Sequence, residues 1–174
     1  RSGPGTPYWK NQETLTELVA RVREAAPSKW LIAKVPGGDI PVEEICAACE
    51  RGGADAITSY SSLNGSEINI YTRTYRCGGG GSGGFSGPAF KPVGLLMCRR
   101  AVSAVSIPVI GIGGISRAED VIEYIMAGAY AVQVGSANLS RPDFMPRLIR
   151  ELARLMEAMG IESLEEIRGC ARIE

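Results

Sequence analysis

Two short apolar runs that end in small residues constrain the fold of this chain more than any other feature. The runs fall within residues 107–115 and 131–137. An uninterrupted apolar run predicts a strand buried on both faces, as in a parallel sheet. Glycine just past a strand lets the backbone turn and brings its N–H groups close to an anion. The two runs therefore predict a phosphate cradle. The small residues that form it are Gly113, Gly114, Gly135 and Ser136.

Helix patterns alternate with strand patterns along the chain. The helix patterns cover residues 11–26, 41–51, 92–105, 118–127 and 142–159. The strand patterns cover residues 30–34, 54–60, 109–112 and 131–134. This alternation predicts βαβ units and a parallel sheet of four strands. Four strands make a small open sheet or half of a (β/α)8 barrel, whose last two strands are typically followed by a phosphate site.

A half barrel would leave two strand edges and half of an apolar interior uncovered. Such edges and surfaces favour association. We therefore expect the first half of the barrel outside this chain, supplied by a missing segment, a partner chain or a second copy. On this interpretation the protein is a homo- or hetero-oligomer, or part of a longer chain.

The connection over residues 61–92 has no strong periodicity. A connection of this length in a compact domain is usually functional or disordered, so it is a candidate active-site loop or lid. Its glycine run at 78–84 is typical of a flexible linker. The alternation over residues 67–76 fits either a substrate lid or a surface hairpin. Lys91 is expected to begin the next helix.

Composition excludes several classes of function. Lys+Arg and Asp+Glu number 19 each, so no basic excess indicates nucleic-acid binding. No apolar run approaches the roughly 20 residues of a membrane span. Histidine is absent, which excludes histidine-based catalysis and histidine metal ligands. The five cysteines are scattered, which indicates a reducing compartment and a cytoplasmic protein. Cys46 and Cys49 have CxxC spacing within a helix pattern; we expect buried thiols and no metal, with a redox or metal role as the alternative.

Three segments together resemble a known family. They are residues 83–92 (GGFSGPAFKP), 105–115 (VSIPVIGIGGI) and 127–137 (AGAYAVQVGSA). Their order and spacing resemble the C-terminal half of class 1 dihydroorotate dehydrogenases and the flavin domain of dihydropyrimidine dehydrogenase. The segment 33–36 (AKVP) resembles that family's strand-borne lysine, and 160–169 resembles its C-terminal ending.

The resemblance implies an α/β fold in which residues 1–174 form the C-terminal half of a (β/α)8 TIM barrel. It implies FMN at the carboxyl ends of the strands and an oxidoreductase of pyrimidine metabolism. The reaction would be hydride transfer between flavin N5 and a carbon–carbon bond next to a carbonyl. Lys34 would be catalytic, because a cation at the ring stabilises negative charge on the reduced flavin. The cofactor-binding residues would be Lys34, Ser86, Gly87, Gly113, Gly114, Gly135 and Ser136.

The substrate side of the family pattern is altered. The family places a cysteine or serine base in a loop after its fourth strand, and here the matching position is Gly3, with Gly5 in place of a neighbouring asparagine. Ser61 and Ser62 stand where the family has an Asn-Thr or Asn-Ser pair that binds the pyrimidine. Two other functions are consistent with these residues. One is a lyase or isomerase that binds a phosphorylated small molecule, and the other is a non-catalytic flavin-binding subunit.

Overall fold

The computed structural model describes residues 10–37, 41–60 and 62–172. The five longer helices are α1 (Gln12–Ala25), α2 (Val42–Arg51), α4 (Lys91–Ala104), α5 (Ala118–Met126) and α7 (Phe144–Met159). Short helices are α3 (Gly78–Gly81), α6 (Ser136–Ser140) and α8 (Leu164–Ile167), and a 3-10 turn covers Pro88–Phe90. The strands are β1 (Ile32–Lys34), β2 (Ala56–Thr58), β3 (Leu63–Gly65), β4 (Ile68–Asn69), β5 (Thr74–Tyr75), β6 (Gly83–Phe85), β7 (Val109–Ile112) and β8 (Ala131–Gln133).

The main sheet contains four parallel strands in the order β1-β2-β7-β8. Each strand therefore pairs with the next core strand along the chain, and a helix lies between successive strands. Ile32 is in register with Ala56, Ile57 with Val109, and Ile110 with Ala131. This topology confirms the α/β fold class and is that of half of a (β/α)8 barrel.

The helices form a layer in which α1 packs on α2, α2 on α4, α4 on α5 and α5 on α7. The core between this layer and the sheet includes Ile57, Phe90, Tyr124 and Ile125, all almost fully buried. Apolar area removed from water on this face is the main stabilising contribution. The chain leaves α7 at Gly160, whose φ of 67° is a left-handed conformation that suits glycine.

Burial of the sheet is confined to its two central strands. The sequence predicts buried strands at 30–34 and 131–134, and this prediction is wrong for both. Ile32 of β1 is 46% exposed, and Trp30 just before it is 80% exposed. Ala131 and Gln133 of β8 are also exposed, whereas β2 is buried throughout. The reason is position in the sheet, because β1 and β8 are its edges and have one strand neighbour each.

Residues 63–85 of the connection between β2 and α4 form nested hairpins. Strands β3 and β6 pair antiparallel, with Asn64 opposite Gly84, and they enclose the smaller hairpin of β4 and β5. Residues 67–76 therefore contain a hairpin, as one of the two interpretations expects, and the lid stays a prediction. The residues predicted as a flexible linker, 78–84, contain α3 and the first two residues of β6. Gly80 and Gly81 have φ of +100° and +77°, conformations in which glycine is unstrained.

The helix cysteines are buried thiols. Cys46 and Cys49 are both free and both buried on α2. Burial raises the pKa of Cys46 to about 12 and that of Cys49 to about 11, so neither forms a reactive thiolate at neutral pH. Over the described ranges, no group of three or more Cys, Asp or Glu side chains could hold a metal ion. None of the described helices is long and apolar enough to cross a membrane.

Candidate functional site: a glycine-lined cleft

A cleft of about 280 Å³ lies where β1, β7 and β8 end. Because carboxyl ends of parallel strands meet at one edge of a sheet, residues distant in sequence come together there. The outer wall is contributed by the hairpin of β3 and β6. The residues that line the cleft are Lys34, Ser62, Gly84, Ser86, Ile112, Gly113, Gly114, Ile115, Gln133, Val134, Gly135 and Ser136.

Most of the site residues expected from the sequence line this one cleft. Those that do are Lys34, Ser62, Ser86, Gly113, Gly114, Gly135 and Ser136. Gly87 lies in an adjoining cavity of about 400 Å³, which shares Ile115 and Ser136 with the cleft. Ser61, Gly3 and Gly5 lie outside the described residues. The predicted site residues that the structure describes thus lie close together. The role of each of them stays a prediction.

The loop after β7 can be made only with glycine. Gly113 and Gly114 have φ of +116° and +71°. A Cβ on Gly113 would lie 2.6 Å from the ring of Phe90, and one on Gly114 would lie 2.5 Å from the backbone nitrogen of Lys91. No described residue accepts a hydrogen bond from the backbone N–H of Gly114, Gly135 or Ser136. These N–H groups remain available to an anion at the cleft.

Tyr124 supports the same loop from inside the core. Its hydroxyl donates to the carbonyl oxygens of Ile112 and Gly113, at 3.0 and 2.8 Å. The ring and hydroxyl contact Gly111 and Gly94, where any Cβ would collide with them. Burial raises the pKa of Tyr124, so the hydroxyl stays protonated and continues to donate. Gly94 within α4 and Gly111 within β7 therefore leave the space that the Tyr124 side chain occupies.

An ion-paired network ties the loop to α4 and α5. Lys91 donates to Asp120 Oδ1 and to Glu123 Oε1, both at 2.8 Å. The other oxygen of Asp120 accepts from the backbone N–H groups of Ser116 and Arg117, at 2.8 and 3.1 Å. Asp120 therefore caps α5 and also holds the residues that follow Gly114. Lys91 and Asp120 are 29 residues apart, so no local sequence pattern reveals their pairing.

Lys34 is the cation at the opposite end of the cleft. It ends β1, in register with Thr58, and its side chain is exposed in the cleft. No acidic side chain of the described residues forms an ion pair with it. The strands β1 and β8 are three strand spacings apart, up to about 14 Å. An elongated anionic molecule could therefore meet Lys34 at one end and the two glycine loops at the other.

Sequence reasoning missed Gly84 and Gln133, which also line the cleft. Gly84 was assigned to a linker, but in β6 it faces Ser62, whose hydroxyl oxygen is 3.4 Å from a Cβ built on Gly84. Gln133 is the last residue of β8, just as Lys34 is the last of β1. The signal available for Gln133 was that it is a polar residue within an apolar strand run.

Gly114→Ala is expected to lower the free energy of unfolding by at least about 1 to 2 kcal/mol, the cost of the left-handed conformation for a residue with a Cβ. The collision with the Lys91 backbone adds to it. Urea unfolding followed by circular dichroism measures the change. Gly135→Ala is the matched control, because Gly135 has φ of −108° and open space around its Cβ position. Equal stabilities of the two variants would contradict this account of the loop.

Comparison with known proteins agrees with this geometry. The family model for dihydroorotate dehydrogenase matches residues 2–156. The chain belongs to the dihydroorotate dehydrogenase family. The four-stranded sheet with its glycine loops is thus part of that family's barrel, as the motifs 83–92, 105–115 and 127–137 predict.

Relatives of the chain are bacterial proteins named dihydroorotate dehydrogenase B (NAD(+)), catalytic subunit. The protein from Solidesulfovibrio magneticus is 43% identical over 157 residues, which cover 90% of this chain and 51% of the relative. The one from Carboxydothermus hydrogenoformans is 39% identical over 167 residues, covering 96% and 54%. The one from Maridesulfovibrio salexigens is 37% identical over 169 residues, covering 97% and 55%. The chain therefore spans about half the length of these family members.

Proposed function

We propose that residues 1–174 are the C-terminal half of an FMN-binding barrel that oxidises dihydroorotate. The reaction is hydride transfer between flavin N5 and the carbon–carbon bond next to a carbonyl of a dihydropyrimidine. The observation that carries the proposal is the single cleft that Lys34 lines at one end and the two glycine loops line at the other. Names of the family relatives agree with this reaction class.

The residues of the cleft fit FMN. Its phosphate needs several N–H donors close to the backbone, and the Gly113-Gly114 turn, which admits no Cβ, exposes such donors. The residues that would hold the phosphate are Gly113, Gly114, Gly135 and Ser136. The ring would lie against Ser86, Gly87 and Lys34. When bound, FMN supplies a ring that accepts or releases a hydride.

Lys34 contributes electrostatic stabilisation. A fixed ammonium group near the ring lowers the free energy of a state in which negative charge develops there. The Lys34 ammonium has no carboxylate partner among the described residues, so its charge is not neutralised within this part of the chain. Exclusion of water by the rest of the barrel would strengthen the interaction.

Substrate binding is assigned to the loop that begins after β2. Ser62 lines the cleft beside Gly84, and a serine hydroxyl can both donate to and accept from the amide edge of a pyrimidine. Ser61, outside the described residues, is proposed as its companion. The hairpin segment 61–92 would then act as an active-site lid, with Ser62, Gly84 and Ser86 on its cleft side. Oxidation of the substrate also releases a proton, and Gly3 has no side chain that could accept it. The hydroxyl of the adjacent Ser2 is proposed as the acceptor instead.

The protein is proposed to work with other polypeptide segments. The exposed edges β1 and β8 require strands to close the barrel, from the missing half or a second copy. The name "catalytic subunit" of the relatives implies a partner subunit. The free thiols of the described cysteines suit a reducing compartment such as the cytoplasm.

Anaerobic mixing with dihydroorotate tests the reaction. We expect loss of the visible flavin absorption and formation of one orotate for each flavin reduced. Dihydrouracil serves as a second substrate, because the altered pair at 61–62 bears on recognition of the pyrimidine. Bound flavin that neither compound reduces would contradict the proposed activity and leave FMN binding intact.

A further inference from the structure

A second cavity continues from the cleft past Ile115 and Ser136. Its volume is about 400 Å³, and its walls come from the segments that follow β6, β7 and β8. Ser136 lies in both spaces, so a group held at Ser136 is accessible from either. The polar side chains of the second cavity are those of Ser116, Ser136, Ser140 and Arg141.

The cations near the glycine loops are not equally available. Lys91 is engaged by Asp120 and Glu123 at 2.8 Å. Arg117 lies 3.5 Å from Asp120 and 3.8 Å from Glu119. Within the described ranges, Arg141 has no acidic partner, and its side chain lines the cavity.

The backbone of Arg141 is fixed on both sides. Its N–H donates to the carbonyl oxygen of Ala137 at 3.1 Å, and its carbonyl accepts from the N–H of Phe144 at 3.0 Å. The backbone of Arg141 is thus held relative to Ser136 by α6, which begins at Ser136 and ends just before Arg141. A guanidinium on a fixed backbone loses less conformational entropy when it binds an oxyanion.

A phosphate monoester carries between about −1.5 and −2 charges at neutral pH. Backbone N–H groups supply only partial charge, and Lys34 stands three strands away at the other edge of the sheet. We propose that Arg141 is the side-chain cation of the phosphate subsite, which it reaches from the second cavity beside Ser136. This inference rests on the proposed function, since the phosphate is that of the proposed FMN. Arginine suits the role because its planar fork makes paired hydrogen bonds to phosphate oxygens.

The test compares FMN with riboflavin, which has the same ring and no phosphate. Affinities are measured by quenching of flavin fluorescence on the cofactor-free protein with its barrel complete. Arg141→Gln is expected to weaken FMN binding roughly ten- to a hundredfold, the effect of one lost charge-assisted pair of hydrogen bonds. Riboflavin binding is expected to stay unchanged. Arg141→Lys keeps the charge without the fork and should fall between the two.

Arg99→Gln is the matched control, since Arg99 lies on α4 in a different cavity. Unchanged FMN affinity in Arg141→Gln would overturn the inference while leaving FMN binding and the proposed function in place. Equal losses of FMN and riboflavin affinity would also overturn it, because they indicate a structural role, which thermal unfolding of the variant would reveal. Failure of the unsubstituted protein to bind FMN would overturn both proposals.

Discussion

Asp120→Ala is expected to lower the free energy of unfolding by about 3 kcal/mol. The Asp120 side chain is 3% exposed and is an ion-pair partner of Lys91. Its removal leaves the ammonium group with Glu123 alone, in a largely buried setting. It also removes the acceptor for the N–H groups of Ser116 and Arg117. Urea unfolding of the two proteins at neutral pH gives the difference.

Glu119→Ala provides the matched control for this variant. Glu119 is the adjacent acidic residue in the first turn of α5, and its side chain is 54% exposed. Its replacement is expected to change stability by no more than about 0.5 kcal/mol. If Asp120→Ala and Glu119→Ala were equally mild, the Lys91–Asp120 network would not be what holds the loop.

The same carboxylate predicts how stability changes with pH. Burial of Asp120 opposes its ionisation, but hydrogen bonds from Lys91 and Ser116 outweigh burial and lower its pKa below the ordinary 3.8. A depressed pKa means that the native state binds protons less readily than the unfolded state. The stabilisation is therefore fully present above pH 3.8 and is lost as the pH falls through the lower native value. In acid, the difference between the original protein and Asp120→Ala should shrink.

Lys34→Met is expected to slow reduction of the bound flavin by dihydroorotate by about a hundred- to a thousandfold, the usual effect of removing one preorganised electrostatic group. Methionine keeps the unbranched shape of the side chain and removes only the charge. FMN affinity should change far less, because the proposed phosphate contacts follow β7 and β8, away from the edge strand β1 that carries Lys34. Stopped-flow absorption under anaerobic conditions measures the rate.

The control for this variant is Lys29→Met, in the exposed turn before β1. In the Lys29→Met variant we expect dihydroorotate to reduce the bound flavin at the original rate. If Lys34→Met also kept the original rate, Lys34 would have no catalytic role. Loss of FMN from Lys34→Met, with no change of rate in the flavin that remains, would restrict Lys34 to binding.

The sequence was sufficient to predict the parallel sheet and the place of the cleft. Alternation of helix and strand patterns fixes the topology, and strand ends converge in any parallel sheet. Lys34 and the two glycine loops could therefore be placed together, although Gly113 and Gly135 lie 79 and 101 residues after Lys34. The sheet and the glycine loops follow from local pattern and chain order, whereas the place of Lys34 is what the family resemblance implies.

The exposure of β1 and β8 could not be read from the apolar runs. An apolar run shows what a strand can bury, whereas actual burial depends on the neighbours that are present. Ile32 would be interior in a closed barrel and is exposed at the edge of this sheet. The segment 78–84 shows a similar limit, since its glycine composition is compatible with both a linker and a strand of a hairpin such as β6.

The supports of the phosphate loop were also beyond prediction. Tyr124 reads as one more apolar position on an amphipathic helix, and Lys91 as the first residue of another. Their roles depend on contacts between elements distant in sequence, because Tyr124 donates to the carbonyl groups of Ile112 and Gly113 at the end of β7. Such contacts are specified by tertiary packing, which no local period reveals.

An absorption spectrum of the purified protein, with mass spectrometry of any released cofactor, tests the central claim most directly. The chain should be examined together with the segment or subunit that completes its barrel. The cleft at Lys34 and the glycine loops predicts flavin absorption bands and a released molecule with the mass of FMN. A colourless protein that remains colourless after incubation with FMN would contradict the flavin site.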